Sequence, residues 1–155
     1  FSKKIINELN GTIKSKKIGI LGWAFKKDTN DSRESASIYI AKDLLDEGAE
    51  IYVYDPKVSK KRVYNDLEMV FKSDNYSQSD IELIVKNVHV VDDYKLCFDN
   101  ASSISILTEW DEFKEFNWKE LIKMMEKQYI IMDGRNLLDK NSMNKITNKY
   151  FSIGR

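Results

Sequence analysis

Short apolar segments rich in β-branched residues alternate with amphipathic stretches along most of this chain, and that alternation constrains the fold most. KKIGILGWA (16–24) reads as a buried strand, with Ile18, Ile20 and Leu21 inside and Gly22 at its end. Residues 34–47 place Ile38, Ala41 and Leu45 at i, i+3 and i+7, and Gly48 follows as a helix C-cap. EIYVYDP (50–56) is a second strand closed by Asp55-Pro56, and 59–71 a helix through Val63, Leu67 and Val70. VHVV (88–91), SISILT (103–108), YIIMD (129–133) and YFSI (150–153) supply four more strands. Between them lie helices expected at 92–101, from the capping box Asn117-x-x-Glu120 onward, and at 142–149. The polar stretch 72–80 reads as an exposed loop, and 81–86 is compatible with either helix or strand. Such alternation predicts βαβ units, hence an α/β fold with a doubly wound sheet of about six mainly parallel strands. Sheets of this kind bind ligands at the carboxyl ends of their strands.

The opening segment sets Phe1, Ile5, Ile6 and Leu9 on one face, with Asn10-Gly11 as a stop. A helix already under way at residue 1 is the expectation for a piece of a longer protein. The 155 residues fit one domain. Lys and Arg number 25 against 25 Asp and Glu, which argues against a general polyanion binder but leaves room for a small anion site. Cys97 is the one cysteine, so no internal disulfide can form and a reducing, cytoplasmic setting is expected.

Candidate chemistry gathers where strands end. After Gly22 the chain carries Lys26, Lys27 and Arg33 before the next helix, with Asp31-x-x-Glu34 as a candidate cap. Cations, a loop and a helix start suit a phosphate; a solvated charged loop is the competing interpretation. The dinucleotide fingerprint G-x-G-x-x-G is missing, because Gly19-x-x-Gly22 runs into Trp23. In DGRNLLD (133–139), Arg135 can fork onto a carboxylate or phosphate, or pin its loop through Asp133 or Asp139. Asp55 is read as a turn residue rather than a ribose acceptor, and Trp110 as packing rather than a stacking platform. His89 lacks companions at metal-ligand spacing, and Cys97 reads as a small buried hydrophobe. No metal site and no catalytic set is expected within these residues.

The run KKIGILGWAFKKDTNDSRES (16–35), followed by YDP (54–56), TEWDEF (108–113) and DGRNLLD (133–139), closely resembles the C-terminal, UDP-binding domain of the UDP-glucose 6-dehydrogenases of eukaryotic type. The resemblance covers nearly the whole chain, with motifs in the family's order. It implies a Rossmann-like fold, residues 1–10 as the end of the central connecting helix, and 11–155 as the UDP-binding domain. It further implies an enzyme that oxidises the C6 hydroxyl of UDP-glucose to a carboxylate with two NAD, through a thiol-bound intermediate whose cysteine lies outside this segment. Carried over by motif, Phe25, Lys26 and Arg135 contact the UDP-sugar, and Arg33 reaches the NAD held by the N-terminal domain. Partners implied are UDP-glucose, that N-terminal NAD-binding domain, and further subunits of a homo-oligomer. The isolated segment is expected to be inactive. Asn136 departs from the pattern, standing where many relatives carry a second Arg. The same domain from a dehydrogenase of UDP-N-acetylmannosamine or GDP-mannose, and a non-catalytic assembly module, stand as alternatives.

Overall fold

The computed structural model describes residues 1–154. Arg155, the last residue of the expected domain range, lies outside them. In chain order the elements are α1 (Ser2–Glu8), β1 (Lys17–Leu21), α2 (Ala36–Asp46), β2 (Glu50–Tyr54), α3 (Lys60–Ser73), α4 (Gln78–Val85) and β3 (Val88–Val90). There follow α5 (Lys95–Phe98), β4 (Ser103–Ile106), a 3₁₀ turn (Asp111–Glu115), α6 (Trp118–Ile122), β5 (Ile130–Asp133), α7 (Lys140–Asn144) and β6 (Tyr150–Ser152). Among the described residues the six strands form one sheet in the order β3-β2-β1-β4-β5-β6, with every pairing parallel. This is the α/β, doubly wound arrangement the alternation predicts.

The inner strands explain why. All four residues of β4 and of β5 are buried, and so are four of the five in β1, as strands covered on both faces require. Their Ile and Leu side chains join Ile5, Leu44, Leu67, Phe71 and Phe98 in one core. Helix α2 ends as its Gly48 predicts: Gly48 N donates to Leu45 O and Ala49 N to Leu44 O, the paired bonds of a Schellman turn.

Three local expectations are corrected. The stretch 72–80 is not a loop throughout, because α3 runs to Ser73 and α4 begins at Gln78. Ser77 caps α4 by accepting from Asp80 N, and Ile81 is the one fully buried residue of that helix, too thin an apolar stripe to read from sequence. Helix α2 begins at Ala36 rather than 34: Ser35 is its N-cap, while Glu34 sits outside at φ +58°. The helices expected at 92–101 and 142–149 shrink to Lys95–Phe98 and Lys140–Asn144, the latter starting earlier because Asp139 accepts from Ser142 N.

Register positions the functional edge. Leu21 pairs with Tyr54 on one side and Ile106 on the other, and Ile106 pairs with Asp133. Four strands therefore end level, and the loops after β1, β2, β4 and β5 rise side by side. The order reverses between β1 and β4, which opens a crevice there. Gly22 makes the exit from β1. Its φ is +95°, and a Cβ there would lie 2.4 Å from Thr108 Cβ. Gly22→Ala is expected to cost about 3 kcal/mol from backbone strain plus overpacking, read as a lowered midpoint in urea unfolding with an unchanged m-value.

Candidate functional site

Asp55, at the end of β2, organises the edge. Its Oδ2 accepts from Trp23 N (2.7 Å), Ala24 N (3.0 Å) and Trp110 Nε1 (3.1 Å). Its Oδ1 accepts from Lys57 N (2.8 Å) and Val58 N (2.9 Å). One carboxylate thus satisfies its own turn, the loop after β1 and the loop after β4. The turn reading of Asp55 and the packing reading of Trp110, which is 6% exposed, both agree with this geometry.

A buried carboxylate, Asp66, fixes the base of the β1 loop. Asp66 Oδ2 accepts from Trp23 Nε1 (3.0 Å) and Ser32 Oγ (2.5 Å), and Oδ1 pairs with Arg62 Nε at 2.9 Å. Trp23 is fully buried, so the residue that displaces the dinucleotide fingerprint is a structural plug. Thr108 Oγ1 donates to Ala24 O at 2.7 Å and closes the loop from the other side.

From this base project the residues singled out in the sequence. Phe25 is 52% exposed although it is a large apolar side chain, and its backbone N donates to Asp31 O. Lys26 is exposed and makes no ion pair among the described residues. Arg135 leaves the loop after β5, two strands away and about 10 Å at the usual strand spacing. It reaches back to donate from Nη2 to Phe25 O (2.8 Å) and from Nε to Glu109 Oε2 (2.6 Å). The Arg135 guanidinium thereby meets the Phe25 carbonyl, on the loop that also carries Lys26. Asp133 and Asp139 are not the side-chain partners of Arg135. Asp133 takes Arg135 N, Leu138 N and Tyr150 OH, and Asp139 caps α7. Glu109, within TEWDEF, is instead the carboxylate that Arg135 pairs with, a contact that its position beside Trp110 in the sequence does not signal.

Arg33 stands apart. Its side chain is 78% exposed and grips Asp31 through Nε (3.0 Å) and Nη2 (2.7 Å). Asp31 is thus a partner for Arg33 and not a cap for α2. Arg33, Lys57, Ser59 and Arg62, with Asn30 and Asp31, line a cavity of about 450 Å³ beside the β2 loop. Lys27 is committed elsewhere: Lys114 and Lys27 together hold the Asp111 carboxyl down to about 2, and Asp111 raises Lys27 in return. Burial pushes the Cys97 thiol up, which leaves it an unreactive core group as expected. His89 pairs with Glu50 at 2.9 Å, and its ring lies 4.5 Å from that of Tyr52 at a 30° tilt. A larger cavity of about 580 Å³, lined by Lys16, Lys17, Glu50 and Gln128 among others, opens at the amino ends of the strands, away from this edge.

The sequence profile described as "UDP-glucose/GDP-mannose dehydrogenase family, UDP binding domain" matches residues 19–140. The chain belongs to that family. It is 43% identical over 157 residues to the UDP-glucose 6-dehydrogenase of Pongo abelii, covering all of this chain and 31% of the relative. It is 42% identical to that of Caenorhabditis elegans, covering 99% of this chain and 30% of the relative. The chain thus spans about a third of the length of the relatives it matches. Among solved structures, UDP-D-ManNAc dehydrogenase from Pyrococcus horikoshii superposes with a TM-score of 0.69 at 23% identity, over 99% of this chain and 29% of that one. NDP-N-acetyl-D-galactosaminuronic acid dehydrogenase from Methanosarcina mazei Go1 gives 0.70 at 24%, over 99% and 28%. At such identities these two show a shared fold.

Two outcomes test the geometry. Asp55→Asn keeps the shape but turns an amide donor toward N–H groups that need an acceptor. It is expected to cost about 2 kcal/mol in denaturant unfolding. The Arg33 guanidinium, through its hydrogen bonds, holds the Asp31 carboxyl at about 2 against an ordinary 3.8. A depressed carboxylate stabilises the fold above its unfolded value and loses that contribution as pH falls. The pair is therefore complete above pH 4 and dissolves as pH drops through about 2. An NMR titration of the Asp31 carboxyl should show that midpoint, moved up toward 3.8 in Arg33→Ala.

Proposed function

We propose that this chain holds the uridine diphosphate end of UDP-glucose for a UDP-glucose 6-dehydrogenase. The observation that supports the reading is the reach of Arg135 from the β5 loop to the carbonyl of Phe25, which ties the guanidinium to the loop that carries the exposed Phe25 ring and Lys26, a lysine with no ion pair among the described residues. Arg135 offers a planar fork for phosphate oxygens, Lys26 a point charge, and Phe25 an apolar face for the nucleoside or sugar. Binding energy taken from the remote diphosphate then positions the sugar C6 for reaction.

The fit to NAD is limited to the rim. Trp23 N and Ala24 N, which follow β1 where a dinucleotide fold would cradle a pyrophosphate, are taken by Asp55. What this chain offers NAD is Arg33, exposed beside Lys57 and Arg62, toward a dinucleotide held by another domain. Hydride acceptance is the chemistry NAD supplies when bound there. The thiol and acid–base groups of the reaction belong to the remainder of the enzyme, so this segment by itself is inactive. Residues 1–10 are read as the end of its central helix, and like subunits in the cytoplasm as its setting.

UDP or UDP-glucose at about 100 times its Kd should stabilise the chain by about 2.7 kcal/mol and raise the Tm by several degrees. Arg135→Ala should at least halve the shift while leaving the Tm without ligand within about 2 °C. Equal stabilisation by GDP would favour a dehydrogenase of another nucleotide sugar, and absence of any shift at millimolar UDP would overturn the reading.

A further inference from the structure

An arginine at a strand end has many rotamers, and freedom lost on binding weakens a complex. Arg135 has already lost most of that freedom. Its backbone N is tied to Asp133 Oδ1 (2.9 Å), its Nε to Glu109 Oε2 (2.6 Å) and its Nη2 to Phe25 O (2.8 Å). Of the five guanidinium N–H groups, both on Nη1 and the second on Nη2 have no protein partner among the described residues. The side chains of Arg135 and Glu109 are each about one-third exposed, at 34% and 33%, so the pair is open to solvent at the strand-end edge.

Glu109 is itself well placed to hold another group. It lies between Thr108, fully buried and bonded to Ala24 O, and Trp110, buried and bonded to Asp55. Its neighbours on both sides are anchored to the loops after β1 and β2, so its backbone has little room to move. Its second oxygen, Oε1, accepts from Lys27 N at the long distance of 3.5 Å. A carboxylate so fixed occupies the Nε of Arg135 and leaves the far end of the fork outward.

We propose that Glu109 is the positioning residue for Arg135. It holds the guanidinium across the β4 and β1 loops in the binding geometry, with the Nη1 end presented to a nucleoside diphosphate. The proposal rests on the reading of this edge as a UDP site and adds to it a residue that touches Arg135 rather than the ligand.

The test is calorimetric titration of UDP into the chain and into Glu109→Ala, Glu109→Gln, Arg135→Ala and the double variant Glu109→Ala/Arg135→Ala. Arg135→Ala should weaken UDP about tenfold or more, as expected for loss of a charge-assisted contact. Glu109→Ala should weaken it about fivefold, and Glu109→Gln, which keeps an acceptor for Nε, about twofold. The double variant should bind no worse than Arg135→Ala, because Glu109 acts only through Arg135. Additive losses, or tighter binding in Glu109→Ala, would overturn the proposal; the second would make Glu109 a competitor for the fork. A readout independent of ligand is the Arg135 Nε–H signal in ¹⁵N NMR, ordered in wild type and averaged in Glu109→Ala; an unchanged signal would also overturn positioning. Failure of the wild-type chain to bind UDP, with that signal still ordered by Glu109, would instead remove the UDP reading and with it the ligand assigned here.

Discussion

Five hydrogen bonds converge on the Asp55 carboxylate, and the functional edge depends on them. Three loops leave three strands at one level, and each carries backbone N–H groups or an indole that a sheet cannot satisfy. A carboxylate has about four lone-pair sites on two oxygens, and here both oxygens are in use. Because its partners come from the β1 loop, its own turn and the β4 loop, Asp55 converts three independent segments into one rigid platform. Asp66 repeats the device one layer deeper, joining Trp23, Ser32 and Arg62. Asp66 is buried and its one cation is Arg62 among the described residues, so removing that partner would leave a buried charge uncompensated and is strongly destabilising.

On that platform the cations divide by how they are held. Lys27 is bound to Asp111 and Arg33 to Asp31, both at solvent-exposed positions where ion pairs stabilise little. Arg135 is held by one carboxylate and one carbonyl from two different loops, and that geometry orders it without occupying its whole fork. Lys26 makes no ion pair among the described residues. Phe25, whose carbonyl Arg135 holds, is a large apolar side chain that folding has left 52% exposed.

Much of the architecture was legible in the sequence, because hydrophobic periodicity records burial. Strands buried on both faces, such as SISI and IIMD, read as continuous apolar or small-residue runs, and Gly48 marked a helix end. Helix α4 was not legible, since it rests on the core mainly through Ile81 and leaves Leu83 61% exposed. The start of α2 was misplaced for a related reason. Asp31 and Glu34 have the spacing of a capping box, but Asp31 was drawn off by Arg33 two residues away, and Ser35 took over the cap. At the candidate edge, Phe25, Lys26, Arg33 and Arg135 are singled out by their motifs, whereas the pairing of Arg135 with Glu109 is visible only in the folded chain.

The order of apolar and polar residues by itself determined an α/β sheet with its ligand edge at the strand ends, because local periodicity reports which faces must leave water. The same residues lack the dinucleotide fingerprint after β1, where the bulky Trp23 stands, and Trp23 N and Ala24 N donate to Asp55 instead. Only the tertiary structure decided which charges meet. The level register of Leu21, Tyr54, Ile106 and Asp133 aligns loops that lie far apart in sequence, and the short range of a hydrogen bond then selects the pairs. Arg135 finds Glu109, 26 residues earlier, and Phe25, 110 residues earlier, because folding closes those separations to under 3 Å.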